Sequence, residues 1–281
     1  MKTDTLYRYP TALTIAGSDS GGGAGIQADI KTFSALGVYG ASVITSITAQ
    51  NTQGVRGIQA ISPEVLKGQL DAVFEDITID AVKIGMLHNK TAAEIVVNAI
   101  DTYSPLRIIL DPVMISTSGN KLLQDDAIDI IVRELFKRTS LVTPNIDEAE
   151  FLSGMKITSE KEMCLAAEKL LSLGCHAVLM KGGHLKRKEM TDILYVSEAS
   201  PLRLSAETVI TTNGHGTGCT LSSAIAAYQA LGKSLPDAVR LAKEYITKAI
   251  TEGKDVRTGH GHGPLNHFFA PVPLVKTEIK G

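Results

Sequence analysis

The chain has 281 residues, 44% of them hydrophobic and 21% charged, with 28 basic against 30 acidic side chains and a formal net charge of −2. That length holds one large α/β domain or two small ones, and the near-neutral balance without a basic block excludes nucleic acid or an anionic membrane as the expected partner. Three cysteines (Cys164, Cys175, Cys219) with no CxxC pair argue against a disulfide framework or a zinc site, and Met1–Arg8 lacks the apolar core of a signal peptide, so a reducing, cytoplasmic setting is the expectation.

Along the chain, short β-branched runs alternate with amphipathic stretches. Ala12–Ala16 reads as a strand ending at Gly17, and a Gly-rich loop from Ser18 to Gly25 leads into a helix carrying Ile26, Ile30 and Phe33. Ser42–Thr48 is a second strand. Ser62-Pro63-Glu64 opens a helix, with Ser as N-cap and Pro at the first helical position, that offers Val65, Leu66, Leu70 and Val73 to a core. Ile79–Ile84, Arg107–Leu110, Ser140–Val142 and Ala177–Met180 read as further buried strands, with helical patterns near 91–100, 125–138 and 159–173 between them. The charged stretch His184–Thr191 reads as a mobile loop before a strand at Asp192–Val196. Strands separated by helices imply a mostly parallel sheet covered on both faces. With no repeat or linker in the sequence, residues 1–281 are expected to form a single domain.

Several strands end at polar or glycine clusters: Gly17-Ser18-Asp19, Gly85-Met86, Asp111-Pro112, Thr143-Pro144-Asn145 and Lys181-Gly182-Gly183. In open α/β sheets ligands bind at the carboxyl ends of strands, so these clusters should share one cleft. The most informative stretch is Gly214-His215-Gly216-Thr217-Gly218-Cys219-Thr220 before the apolar run Leu221–Ala227. A glycine turn opening a helix is an anion site, because unpaired N–H groups and the positive end of the macrodipole meet there. Here a thiol stands at its mouth. Two familiar nucleotide signatures are absent: Gly21, Gly23 and Gly25 have the wrong spacing for GxGxxG, and Gly232-Lys233-Ser234 lacks the upstream glycine of a P-loop.

Taken together, Ala16–Asp29, Lys83-Ile84-Gly85-Met86-Leu87, Leu110-Asp111-Pro112-Val113-Met114, Thr143-Pro144-Asn145, Met180-Lys181-Gly182-Gly183-His184 and His215–Thr220 closely resemble the hydroxymethylpyrimidine/phosphomethylpyrimidine kinases of thiamine biosynthesis. These belong to the ribokinase-like superfamily. The resemblance runs from about Ala12 to about His267, with the motifs in the family's order, and implies a ribokinase-like α/β fold: a mostly parallel central sheet with helices on both faces.

The resemblance implies ATP-dependent phosphorylation of 4-amino-5-hydroxymethyl-2-methylpyrimidine and then of its monophosphate. It places Cys219, Gly216, Gly218 and Lys181 in catalysis, and Gly17, Asp29, Gln50, Met86 and Val113 around the pyrimidine. Asp111, Asn145, Lys181, Gly182 and Thr217 fall to the nucleotide, and Asn145 and Glu148 to Mg²⁺. An oxygen-only pair suits that hard cation, although Asn145 is equally a helix cap. Most ribokinase-like enzymes carry an Asp where this chain has Cys219, and the family often forms homodimers. A pyridoxine/pyridoxal kinase is the nearest alternative, since related vitamin B6 kinases share the Gly-x-Gly-Cys turn. A non-catalytic binding protein of the same fold is the alternative from another class. The tract Gly259–Pro264 with His267 is expected to be a loop closing over the cleft rather than a metal site, and Cys164 and Cys175 small core residues.

Overall fold

A computed structural model describes residues 5–114, 122–184, 189–197 and 199–279. In chain order the elements are β1 (Tyr7–Arg8), β2 (Thr11–Asp19), α1 (Gly25–Ala35), β3 (Tyr39–Asn51), β4 (Gly54–Ala60), α2 (Pro63–Asp76), β5 (Ala81–Ile84), α3 (Lys90–Tyr103), β6 (Ile108–Leu110) and α4 (Asp125–Ile130). They continue with β7 (Leu141–Val142), α5 (Ile146–Ser153), α6 (Glu160–Ser172), β8 (Ala177–Met180), β9 (Glu189–Val196), β10 (Leu202–Glu207), α7 (Thr217–Ala230), α8 (Leu235–Thr251) and β11 (Thr277–Glu278). Nine strands form one sheet in the order β10-β9-β8-β7-β6-β5-β2-β3-β4. The six from β8 to β3 are parallel, while β4 at one edge pairs antiparallel with β3, and at the other edge β9 pairs antiparallel with both β8 and β10.

Side chains alternate across this sheet, as the two-residue period of a strand requires. Leu13, Val82, Ile108, Leu110 and Val178 face a core built with α2 to α6, whereas Ala12, Ala81, Ile109, Leu141 and Leu179 face the layer of α1, α7 and α8. Because the central strands are covered on both faces, they read in sequence as near-continuous apolar runs, interrupted at Thr14 and Lys83, rather than as alternations.

Several expectations need adjustment. β2 runs on past Gly17 to Asp19, because β3 continues beside it to Asn51. The edge strand β4 and the two-stranded β1–β11 pair have too little apolar content to be found by pattern, whereas β10, which alternates Leu202, Leu204 and Ala206 with polar residues, and α8, capped by Ser234 with Pro236 in its first turn, are within reach of the alternation and capping rules. The pattern at 125–138 is an α-helix only to Ile130, then a π turn and a 3-10 turn. In α2, Leu66 and Leu70 are buried but Val65 faces solvent. Of the predicted loop at His184–Thr191, Glu189–Thr191 opens β9, and residues 185–188 lie outside the described residues. Cys175 is buried, whereas Cys164 is half-buried beside Glu168.

The buried face of α1 holds a carboxylate. Asp29 has no exposed surface, and neither do Thr14 on β2, Lys83 on β5 or Ser223 on α7. Lys83 Nζ donates to both Asp29 oxygens at 3.0 and 2.9 Å, Thr14 Oγ1 donates at 2.5 Å and Ser223 Oγ at 2.6 Å. Burial opposes the ammonium charge, but Asp29, Cys219 and Asp111 outweigh it and hold Lys83 well above its usual pKa. Removing one partner of such a pair strands a buried charge, at a cost of about 3–5 kcal/mol, whereas replacing both with apolar groups of similar size is far milder. Asp29→Ala is therefore expected to lower the urea midpoint sharply, and Asp29→Leu/Lys83→Met to recover most of the loss. A single-mutant loss below about 1 kcal/mol would show that the pair is dispensable.

Candidate active site

The carboxyl ends of the parallel strands open into a cavity of about 950 Å³. β2 contributes Gly17 to Asp19, and β3 contributes Thr48 and Gln50. Met86 follows β5, Asp111 follows β6, Asn145 follows β7 and Lys181 follows β8, while the N-terminus of α7 brings Gly216 to Cys219 to the same space. Of the residues expected at a site, Gly17, Gln50, Met86, Val113, Asp111, Asn145, Glu148, Lys181, Gly216, Thr217, Gly218 and Cys219 all line it.

Two do not. Asp29 is sealed in the network beneath the cavity, its carboxylate committed to Lys83, Thr14 and Ser223, so it supports the floor rather than lining it. Gly182 is also structural. Its N–H donates to Asp192 Oδ1 at 2.9 Å, and a Cβ there would lie 2.0 Å from the Thr191 carbonyl oxygen, so Gly183 takes its place on the wall.

Two glycine loops build the anion end. Gly216 caps α7 with φ at +84°, and a Cβ on it would stand 1.8 Å from the Gly23 carbonyl oxygen, so both conformation and space require glycine. Thr220 is the residue whose N–H reaches the Gly216 carbonyl in the helix ladder, at 2.9 Å, which leaves the Gly218 and Cys219 N–H groups at the open end of the helix. The partner loop is organised by Asp19, which accepts from the N–H groups of Gly21, Gly23 and Ala24 and lies 2.8 Å from His215 Nε2. Burial works against the Asp19 charge, yet His215 and the loop N–H groups hold its carboxyl below the usual range. His215 thus fastens the two loops together, with Gln50 Nε2 3.3 Å from the same ring nitrogen. Neither Asp19 nor His215 stands out in the sequence on its own, though each sits inside a motif that does.

The charged end joins three strand termini. Lys181 Nζ is 2.8 Å from Asp111 Oδ1 and 3.9 Å from Glu148 Oε2, and Thr143 and Ser222 also donate to Asp111. Burial opposes both charges, but Lys181 and Lys83 keep Asp111 ionised, and Asp111 and Glu148 keep Lys181 protonated. Glu148 behaves differently: burial, with Asp111 and Asp147 nearby, pushes it up to about 7 despite Lys181. Asn145 and Glu148 form a reciprocal capping box, with Asn145 Oδ1 accepting the Glu148 N–H at 2.9 Å and Glu148 Oε2 accepting the Asn145 N–H at 2.8 Å. The i, i+3 spacing is thus spent first on capping, and no group of three His, Cys, Asp or Glu suited to a metal occurs among the described residues. The donor set still fits Mg²⁺. It is all oxygen, it contains a carboxylate, Glu148, whose charge Lys181 only partly compensates, and that ion binds through one or two carboxylates and its own waters.

Cys219 is half-buried at the cavity wall. Burial pushes its thiol up to about 11; Lys83 and the Gly25 N–H pull it down, but Asp29 and Asp111 push it further up. The far wall, with Val209, Leu221, Ile246 and Ile250, is apolar and is edged by the ion pair Lys243–Asp192 at 2.7 Å; α8, which supplies much of it, is not among the helices expected from the sequence. The Gly259–Pro264 tract packs on Thr52 and on the back of the loop at 213–215 rather than over this cavity, and His267 is buried against Thr220, where burial lowers its pKa to about 4.

A family model described as phosphomethylpyrimidine kinase matches residues 19–266. The chain belongs to the phosphomethylpyrimidine kinase family. It is 50% identical over 258 residues to a hydroxymethylpyrimidine/phosphomethylpyrimidine kinase of Rhizobium meliloti, covering 92% of this chain and 96% of that protein. A crystal structure of phosphomethylpyrimidine kinase from Clostridium difficile superposes with a TM-score of 0.76 at 47% identity, over 85% of this chain and 99% of that one. An ADP complex of Bacillus subtilis pyridoxal kinase superposes with a TM-score of 0.85 at 35% identity, over 92% of this chain and 98% of that one. The ribokinase-like fold is thus common to both substrate classes, while sequence sides with the pyrimidine branch.

The thiol and its turn can each be tested. Alkylation of Cys219 by iodoacetamide, monitored on its own peptide by mass spectrometry, should accelerate about tenfold per pH unit from pH 7 to 9.5; levelling off below pH 9 would contradict a pKa near 11. Gly216→Ala, forced against the Gly23 carbonyl, is expected to abolish ATP turnover, and wild-type turnover by that variant would show that the loops need not touch.

Proposed function

We propose that this chain transfers the γ-phosphoryl group of ATP to 4-amino-5-hydroxymethyl-2-methylpyrimidine and then to the resulting monophosphate. The observation that carries the reading is the convergence, in one cavity, of the α7 N-terminus, Lys181 and a thiol rather than a carboxylate at position 219. Its relatives' names support the substrate, and Gln50 beside Gly17 and Met86 offers a polar contact on an otherwise apolar surface.

Phosphoryl transfer is mainly positioning and charge stabilisation, because its loose transition state spreads charge over the transferred oxygens. The Gly218 and Cys219 N–H groups meet that charge at the helix terminus, each such donor being worth about 3–4 kcal/mol of barrier. Lys181 adds a point charge. Mg²⁺ bound through Glu148, with Asp111 and Asn145 ordering its waters, would neutralise charge on the ATP phosphates. Thr217 and the apolar wall of Val209, Ile246 and Ile250 would hold the rest of the nucleotide.

Cys219 holds its proton at neutral pH. It therefore meets the attacking alcohol as a neutral hydrogen-bonding partner, and it does not repel the second acceptor, a monoester already largely dianionic above its pKa of about 6. A carboxylate in the same place would. Residues 1–281 as one domain, a cytoplasmic setting and a homodimer belong to the same proposal. The single nine-stranded sheet supports the first. No helix among the described residues is long and apolar enough to cross a membrane. The outer edge of β4, with Ile47 exposed beside it, is a surface that a second copy can use.

The test is ATP turnover with hydroxymethylpyrimidine, its monophosphate and pyridoxal side by side. Turnover of both pyrimidines is expected, and turnover of pyridoxal alone would reject the proposal in favour of a vitamin B6 kinase. Cys219→Asp should keep the first phosphorylation while losing the second by at least about tenfold, roughly 1.4 kcal/mol; equal retention of both steps would remove the repulsion argument. Glu148→Gln, which keeps the helix cap, is expected to lower turnover by about a hundredfold at fixed Mg²⁺ if Glu148 holds the ion.

A further inference from the structure

β3 carries an irregularity beside the site. In its pairing with β2, Ala16 lies opposite Ile44 and Ser18 opposite Ile47, so Gly17 alone faces both Thr45 and Ser46. Such a bulge shifts the side-chain alternation by one residue and re-aims the side chains beyond it. The shift is visible in burial: Val43 and Thr45 are buried on one phase, Ser46 and Thr48 on the other. Beyond the bulge the two-residue period puts Ser46, Thr48 and Gln50 on one face, and Thr48 and Gln50 line the cavity.

Ser46 is the innermost member of that polar row. It has no exposed surface, and its Oγ is the one buried side-chain nitrogen or oxygen among the described residues without a hydrogen-bond partner. A hydroxyl left so destabilises the fold, and each such group in a folded protein calls for an explanation. Its surroundings suggest one. A Cβ on Gly17 would lie 3.1 Å from Ser46 Oγ and 2.4 Å from Met86 Cε, so the glycine leaves a gap at the cavity wall that the methionine methyl now fills. The backbone of Met86 is pinned, with Thr45 Oγ1 donating to its carbonyl at 2.7 Å, but its thioether is unbranched and flexible. Bulge, glycine and movable methyl together leave the hydroxyl one side-chain rotation from the ligand space.

We propose that Ser46 is a specificity-determining residue of the heteroaromatic pocket, whose hydroxyl hydrogen-bonds a ring nitrogen or the amino group of the bound aminopyrimidine once Met86 Cε moves aside. This rests on the kinase reading for the identity of the ligand. A ring that presents only carbon at that edge leaves the hydroxyl unsatisfied and binds more weakly.

The experiment measures Ser46→Ala by calorimetric binding of hydroxymethylpyrimidine and by steady-state kinetics. Kd and KM are expected to rise at least fivefold, with kcat within twofold and the melting temperature of the unliganded protein unchanged or higher, since an orphan hydroxyl has been removed. Kd and KM within twofold of wild type, with kcat retained, would overturn the proposal and leave the kinase reading intact. If Ser46→Ala fails to fold, wild-type protein is titrated with analogues in which each ring nitrogen or the amino group is replaced by C–H or hydrogen. One of them should lose at least fivefold, and equal binding of all overturns the proposal. A wild-type protein that binds the pyrimidine but turns over neither acceptor would reject the kinase reading without touching the role of Ser46.

Discussion

Asp29 gathers four structural elements onto one buried carboxylate. It stands on α1 and takes bonds from Thr14 on β2, Lys83 on β5 and Ser223 on α7. Ser223 lies one helical turn beyond Cys219, so the same bond that satisfies the carboxylate also fixes the rotation of α7 and with it the direction of the thiol. The ammonium of Lys83 cannot be solvated in that position and is held charged by Asp29. A charge pair in this setting contributes less to net stability than its Coulomb attraction suggests, because both ions have left water. What it supplies here is a fixed geometry beneath a reaction site.

Above that pair, the site depends on backbone approach rather than on side-chain reach. Gly216 can lie against the Gly23 carbonyl only because neither loop carries a Cβ at the contact, and the Asp19–His215 bond holds the loops in that position. The N–H groups of α7 are thereby held rigid and need little reorganisation when charge develops in front of them. Lys181 is fixed in the same spirit, shared between Asp111 and a Glu148 whose own charge is only partly balanced. The cluster is one positive group short of neutral comfort, a state that favours binding a cation together with an anionic substrate.

Much of this is legible in the sequence because it is written in local rules. The parallel core strands are apolar runs bounded by turn residues, α2 announces itself by Ser62-Pro63, and Gly25 and Gly216 of the two loops stand where no other residue fits. Their carboxyl-end clusters lead to one cleft by topology alone. What stays hidden is what depends on partners distant in sequence. Asp29 comes just after the glycine motif and resembles a ligand contact, yet its neighbours Lys83 and Ser223 are 54 and 194 residues away and turn it into a core residue. Gly182 likewise loses its N–H to Asp192, because β8 and β9 pair antiparallel, a pairing that the two strands' patterns do not themselves give. The edge strand β4 breaks its alternation at Arg56 and Gly57, both exposed, and carries little apolar signal. The bulge at Thr45–Ser46 is a matter of register, which a single strand's sequence does not contain.

The thiol links these levels. A carboxylate at position 219 would face Asp111 and Asp29 as a third negative group near the cavity floor, compensated by Lys83 and Lys181, which are already committed to the other two. A thiol carries no charge at neutral pH and adds nothing to that imbalance. The same burial and the same two aspartates that push its pKa to about 11 therefore leave the positive ends of Lys181 and α7 free to act on phosphate oxygens. Neutrality at position 219 thus spares the surrounding network a further charge as well as suiting the second acceptor, and its origin lies in where Asp29 and Asp111 are buried.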